Sequence, residues 1–181
     1  MHSDIERILI PRNALARRVA ELADELARDL DALDPDAEIV LIPVLTGSII
    51  FVADLIRHLP HKLRIEVVTA SSYPGRATTS QGAALAGPLP EDLTGRHVLL
   101  IDDILDSGST LTLLREELHR RGPQWLRTCV LLRKQTERAR SVPCEYVGFE
   151  IADEFVVGYG LDYDNYYRNL PEIAVLRKDA M

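Results

Sequence analysis

The sequence has little of what several functional classes require. Only two cysteines, Cys129 and Cys144, stand among its 181 residues. They form no CxxC pair and no zinc-ligand spacing, which points to two reduced thiols in or near the core rather than a disulfide framework or a metal module. Basic residues are in deficit: 21 Lys and Arg face 28 Asp and Glu, for a formal charge of −7. A broad nucleic-acid face needs the opposite balance. Long apolar runs are missing as well. No stretch approaches the roughly 20 residues that cross a bilayer, and the early acids Asp4, Glu6, Glu21, Asp24 and Glu25 do not suit a secretory signal. The expectation is a cytoplasmic protein with neither a membrane nor a nucleic-acid partner. There is no GxxxxGK[ST] phosphate loop, no GxGxxG after a strand and no internal repeat.

What is present is an ordinary globular composition, 46% hydrophobic and 27% charged, in a chain long enough to bury one substantial core. We read residues 1–181 as a single domain. Leu15, Val19, Leu22 and Leu26 recur at helical spacing from Asn13, a candidate cap, to about Leu30. Glu38 to Leu45 is almost continuously apolar, as buried parallel strands are, and ends at Thr46-Gly47-Ser48 before a helical pattern from Ile49 to Leu59. Strands are predicted at 63–69, 97–101, 127–132, 146–149, 155–157 and 173–176, with a helix at 110–121 closed by Gly122-Pro123. Between Ser71 and about Asp92 the chain is rich in Gly, Pro, Ser and Thr without apolar period, a long connection of the kind used for lids. Strand and helix alternate, so the fold class is α/β with a mainly parallel central sheet flanked by helices.

The chemistry concentrates in HVLLIDDILDSGSTLTLLREEL, residues 97–118. Open α/β sheets bind ligands beyond the carboxyl ends of their strands. Here an apolar strand leads to Asp102, Asp103 and Asp106, then to Ser107-Gly108-Ser109-Thr110 at the start of a helix. Free N–H groups at a helix start receive a phosphate. Capping by one serine would explain a single hydroxyl but not the adjacent acids, which repel unless cations or hydroxyl donors share their charge. Acids beside a phosphate seat suit a phosphorylated sugar.

VLLIDDILDSGST resembles the phosphoribosyl-pyrophosphate signature of the type I phosphoribosyltransferases. Three further segments are similar to the hypoxanthine-guanine branch of that family: VLTGSIIFVADLIRHL, the Ser72-Tyr73 pair, and VGFEIADEFVVGYGLDYDNYYRNLP. The resemblance implies the corresponding fold, with a small hood built from the N- and C-terminal segments, the latter about 146–176. It also implies transfer of a phosphoribosyl group to hypoxanthine or guanine with Mg²⁺, and a homodimer or homotetramer. Residue by residue it places Asp102 and Asp103 on the ribose hydroxyls and beside the metal. Asp106 becomes the general acid-base, and Ser107, Gly108, Ser109 and Thr110 the 5′-phosphate seat. Thr46, Gly47, Ser48 and Arg168 are assigned to pyrophosphate, and Ser72 and Tyr73 to a mobile loop at about 71–92. Lys134, Phe155 and Val156 fall to the purine, and Asp162 to the metal. Thr46 departs from the basic residue that many relatives carry in this turn, and Asp102 from the more usual glutamate. A nucleotide-sensing regulator that binds RNA or DNA shares the signature. Asp106, where such regulators tend to carry a bulky residue, favours an enzyme instead.

Overall fold

A computed structural model describes residues 2–71, 84–85 and 87–180. The elements run β1 (Ile5–Ile10), α1 (Arg12–Asp31), β2 (Ile39–Leu45), α2 (Ile49–Leu55), β3 (Leu63–Ile65), β4 (Val68–Ser71), β5 (Ala84–Leu85), β6 (His97–Leu105), α3 (Ser109–His119), β7 (Trp125–Lys134), α4 (Glu137–Ser141), β8 (Tyr146–Ile151), β9 (Val156–Val157) and β10 (Ile173–Leu176). The expected strand at 63–69 is interrupted at Glu66–Val67. Its halves, β3 and β4, both lie parallel to β2.

The main sheet has seven strands in the order β5-β4-β2-β6-β7-β8, with β3 also on β2. Every pairing except β4 with β5 is parallel. Its strands are apolar on both faces because both faces are covered. Side chains alternate along a strand, so Ile39, Leu41, Leu99, Ile101, Cys129 and Leu131 share one core with α1 and α2. Val40, Ile42, Val98, Leu100 and Val130 share the other with Leu111, Leu114 and Leu118 of α3. From β2 the chain leaves towards β3 and β4 on one side and reaches β6 on the other. The connections therefore diverge between β2 and β6, and the crevice at their carboxyl ends is where such sheets take ligands.

A second sheet, β1-β10-β9, is antiparallel and forms the hood expected from the two ends of the chain. Here the sequence reading needs correction: IERILI was given no strand, yet it is β1. Asn13 does not cap α1, which starts at Arg12 after Pro11 with no side-chain cap; the Asn13 amide oxygen accepts from the Ala14 N–H instead. The short helix α4, capped by the Thr136 hydroxyl, was also unforeseen. Strands β6 and β7 run further than their apolar stretches. β6 continues through both acids to Leu105, and β7 through Lys134. No described helix is long and apolar enough to cross a membrane.

Candidate active site

A cleft of about 370 Å³ opens at the carboxyl ends of β2, β6 and β7. It brings together Thr46, Gly47, Asp102, Asp103, Asp106, Ser107, Gly108, Thr110, Lys134, Phe155, Val156, Asp162 and Arg168. These residues come from four distant segments, and all were expected at the site from sequence. Asp102 still lies within the ladder, opposite Val130 of β7, and is 7% exposed. Its carboxylate accepts from the Asp103 N–H at 2.9 Å, and that of Asp103 from the Ile104 N–H at 2.8 Å. Burial first, and the charge of Asp103 second, push Asp102 well above the usual carboxylate range; burial raises Asp103 too. Two adjacent carboxylates at this depth are costly unless positive charge offsets them, and the Arg168 guanidinium does so in part for Asp103.

Past Asp106 the backbone turns at Gly108, with φ +79°, directly into α3. That left-handed conformation favours glycine. There is also no room for a side chain, since an added Cβ would stand 2.3 Å from a Val142 methyl. The turn and the open end of α3 line the cleft through Ser107, Gly108 and Thr110. Ser109 is not in the lining; its hydroxyl lies 3.2 Å from that of Ser107.

The turn after β2 follows a cis Leu45–Thr46 peptide and presses on the acids. An added Cβ on Gly47 would fall 1.9 Å from the Asp103 Oδ2. Behind it lies Gly160, whose own added Cβ would meet the Gly47 carbonyl at 2.1 Å. Ser48 departs from expectation: it is fully buried and its hydroxyl donates to the Val44 carbonyl at 2.6 Å. The Ser48 N–H is directed at that carbonyl as well. Its place is inside the turn rather than on the cleft wall.

Lys134, at the end of β7, has a side chain only 10% exposed, and its ammonium lies 2.9 Å from both Asp106 Oδ2 and Asp153 Oδ1. Burial alone would lower its pKa, but hydrogen bonds to the two carboxylates outweigh burial and raise it. Phe155 stands at the rim, 45% exposed, with Tyr163 edge-on at 5.6 Å. Val156 belongs to β9, opposite Val175 of β10. Arg168 is locked into its loop: it donates to the Gly160 carbonyl at 2.7 Å and pairs with Asp162 at 2.8 Å.

The expected metal set of Asp102, Asp103 and Asp162 is not gathered into one cage, and no group of three metal-ligating side chains occurs among the described residues. Asp162 instead accepts from the Asn165 N–H and pairs with Arg168. Ser72 and Tyr73 lie outside the described residues. Sequence reading missed Glu154 and Leu161, which line the cleft, and Asp153, the second partner of Lys134. The only signal for Asp153 was its place two residues before Phe155.

Residues 9–164 match the family described as phosphoribosyl transferase domain. Hypoxanthine phosphoribosyltransferase of Salmonella typhimurium is 42% identical over 166 residues, 92% of either chain. Hypoxanthine-guanine phosphoribosyltransferase of Mycobacterium avium is 43% identical over 177 residues, 96% of this chain and 86% of that one. Among solved structures, the hypoxanthine phosphoribosyltransferase of Trypanosoma cruzi in complex with the product IMP superposes with a TM-score of 0.88 at 36% identity, covering 100% of this chain and 99% of that one.

Proposed function

The chain belongs to the phosphoribosyl transferase family and is an enzyme of pentosyl transfer, and within that family we propose that it makes purine nucleotides. It transfers the phosphoribosyl group of phosphoribosyl pyrophosphate to N9 of hypoxanthine or guanine, releasing pyrophosphate and IMP or GMP. The carrying observation is one cleft lined by the hydroxyl-bearing turn at the start of α3, by Asp102 and Asp103, by Lys134 and by the exposed ring of Phe155.

Ser107, Gly108 and Thr110 at the open end of α3 receive the 5′-phosphate, with Ser109 ordering Ser107 rather than facing the cleft. Asp102 and Asp103 accept from the ribose hydroxyls. The turn at Thr46 and Gly47, with Arg168 opposite, takes the pyrophosphate, for which a guanidinium fork is suited. Phe155 stacks on the purine, Val156 meets its edge through the backbone, and Lys134 donates to the 6-oxo group. Asp106 exchanges the proton at N7 as N9 attacks C1 of the ribose. Positive charge develops on the ribose as pyrophosphate leaves, and the acid cluster stabilises it. By resemblance, Ser72 and Tyr73 belong to a loop that closes over the donor and excludes water.

The donor set fits magnesium. Two adjacent carboxylates, one buried and one half-buried, in no salt bridge among the described residues, suit a hard cation, and magnesium keeps several waters and needs few protein ligands. Asp102 and Asp103 would hold it, with Asp162 across the cleft; when bound it neutralises charge on the departing pyrophosphate. A cytoplasmic location and a homodimer or homotetramer are part of the proposal; the oligomer is supported by Ile49 and Ile50, 43% and 37% exposed on α2, and checked by light scattering.

The test is spectrophotometric nucleotide formation by the pure protein, with each of hypoxanthine, guanine, xanthine and adenine. Hypoxanthine or guanine should be the preferred acceptor and adenine should be refused, because its 6-amino group cannot accept from Lys134. Absence of purine- and magnesium-dependent turnover would sink the reading.

A further inference from the structure

We propose that Asp153 is a positioning residue for purine recognition, aiming the Lys134 ammonium and sharing its charge so that Asp106 is not its sole counter-ion. The inference rests on the purine reading above and extends it to a residue outside the cleft wall.

An ammonium carries three N–H donors and no acceptor. In Lys134 the two carboxylate contacts, each 2.9 Å, account for two of them. The side chain is 10% exposed, so little solvent is at hand for the third, which is left for an acceptor in the cleft. A purine 6-oxo group is such an acceptor.

The sheet itself fixes the spacing of this arrangement. Lys134 is paired with Ile151 across the parallel β7–β8 ladder, and the Gln135 N–H donates to the Ile151 carbonyl at 2.8 Å. Asp153 sits two residues beyond that last rung, in a turn tied by the Glu154 N–H to the Ala152 carbonyl at 2.8 Å. The same turn delivers Phe155. One short connection therefore carries both the carboxylate that directs the lysine and the ring that stacks on the base.

The consequence for Asp106 follows from charge. With Asp153 gone, the nearly buried ammonium keeps one carboxylate partner among the described residues, and that partner is the group assigned to N7. A tighter Lys134–Asp106 pair competes with the purine for both residues at once. The cost should fall on the purine and not on the donor, whose seat is built from other elements.

Steady-state kinetics of Asp153→Ala and Asp153→Asn against wild type decide the matter. Asp153 is exposed, 66% by its side chain, so both variants should keep the wild-type Tm. In Asp153→Ala the KM for hypoxanthine should rise about tenfold, close to the low end for a hydrogen bond to a charged group because Asp153 is largely exposed, while the KM for phosphoribosyl pyrophosphate stays within about twofold. Asp153→Asn, which keeps an acceptor oxygen without the charge, should lie between. An unchanged purine KM in an active enzyme overturns the role of Asp153 alone, as does a parallel rise in both KM values with a lowered Tm. If wild type itself lacks purine-dependent turnover, the purine reading falls and this proposal with it.

Discussion

Gly47→Ala tests whether the pyrophosphate turn and the ribose acids are in direct register. The added methyl would sit 1.9 Å from Asp103 Oδ2 and 2.6 Å from its Cγ. Relaxed carbon–oxygen contacts lie at about 3.3 Å, so the two groups must part by more than about 1 Å. Asp103 is held by the Ile104 N–H. The turn cannot simply retreat either, because its carbonyl already abuts Gly160. A misplacement of about 1 Å costs catalysis on the order of 100-fold, or about 2.7 kcal/mol of transition-state stabilisation. Overpacking costs stability about 1–3 kcal/mol, a drop of roughly 2–12 °C in Tm for a domain of this size. The expected outcome is a folded protein with kcat/KM for the donor down about 100-fold. Gly95→Ala is the control: its φ is +74° but nothing lies within 4 Å of an added methyl, so it should lose a little stability and no activity. A Gly47→Ala enzyme within twofold of wild type would refute the register, as would an equal loss in the control.

Asp106→Asn should lower kcat by about 10²–10⁴-fold, the usual share of general acid-base catalysis, with donor KM little changed; wild-type turnover would remove Asp106 from the proton transfer. Phe155→Ala should weaken binding of the purine ring about 5- to 160-fold, since stacking a base on an aromatic ring is worth about 1–3 kcal/mol, and isothermal titration with product nucleotide, which carries that ring, reads the loss. Burial pushes the Cys144 thiol up to about 11, and burial likewise raises the fully buried Cys129 thiol well above the usual range. A raised thiol is protonated below its shifted pKa, so at pH 8 roughly one Cys144 in a thousand is thiolate. Iodoacetamide at that pH should leave the native protein unmodified by mass spectrometry and label both cysteines once it is denatured.

Much of the site was legible in the sequence because its pieces are local. Asp102 to Thr110 is one strand end, one turn and one helix start, and the residue types reveal all three. The alternation of strand and helix was readable because buried parallel strands are apolar on both faces. What the sequence concealed depends on distance or on direction. β1 is short and half exposed, and its reason for being a strand is β10, which lies far along the chain. The apolar stretch of β6 stops at Ile101, yet the ladder continues, since the acids face a crevice rather than a core. Ser48 has the residue type of a ligand, but its hydroxyl turns back onto Val44. Asp153 looked like any surface acid until the β7–β8 register placed it against Lys134.

The pairing of β1 with β10 also sets an order of assembly. β1 is synthesised well before Ile173–Leu176, the two being separated on a ribosome by roughly ten to thirty seconds at ordinary elongation rates of about 5–20 residues per second. β2, β6 and α3 are complete before β10 is made, whereas β9 has β10 as its only strand partner among the described residues. The elements around the turn at Gly108 are thus made first, and the strand that fixes Val156 is made last. Shortening the chain by its final strand should leave the donor half standing and disarm the acceptor half.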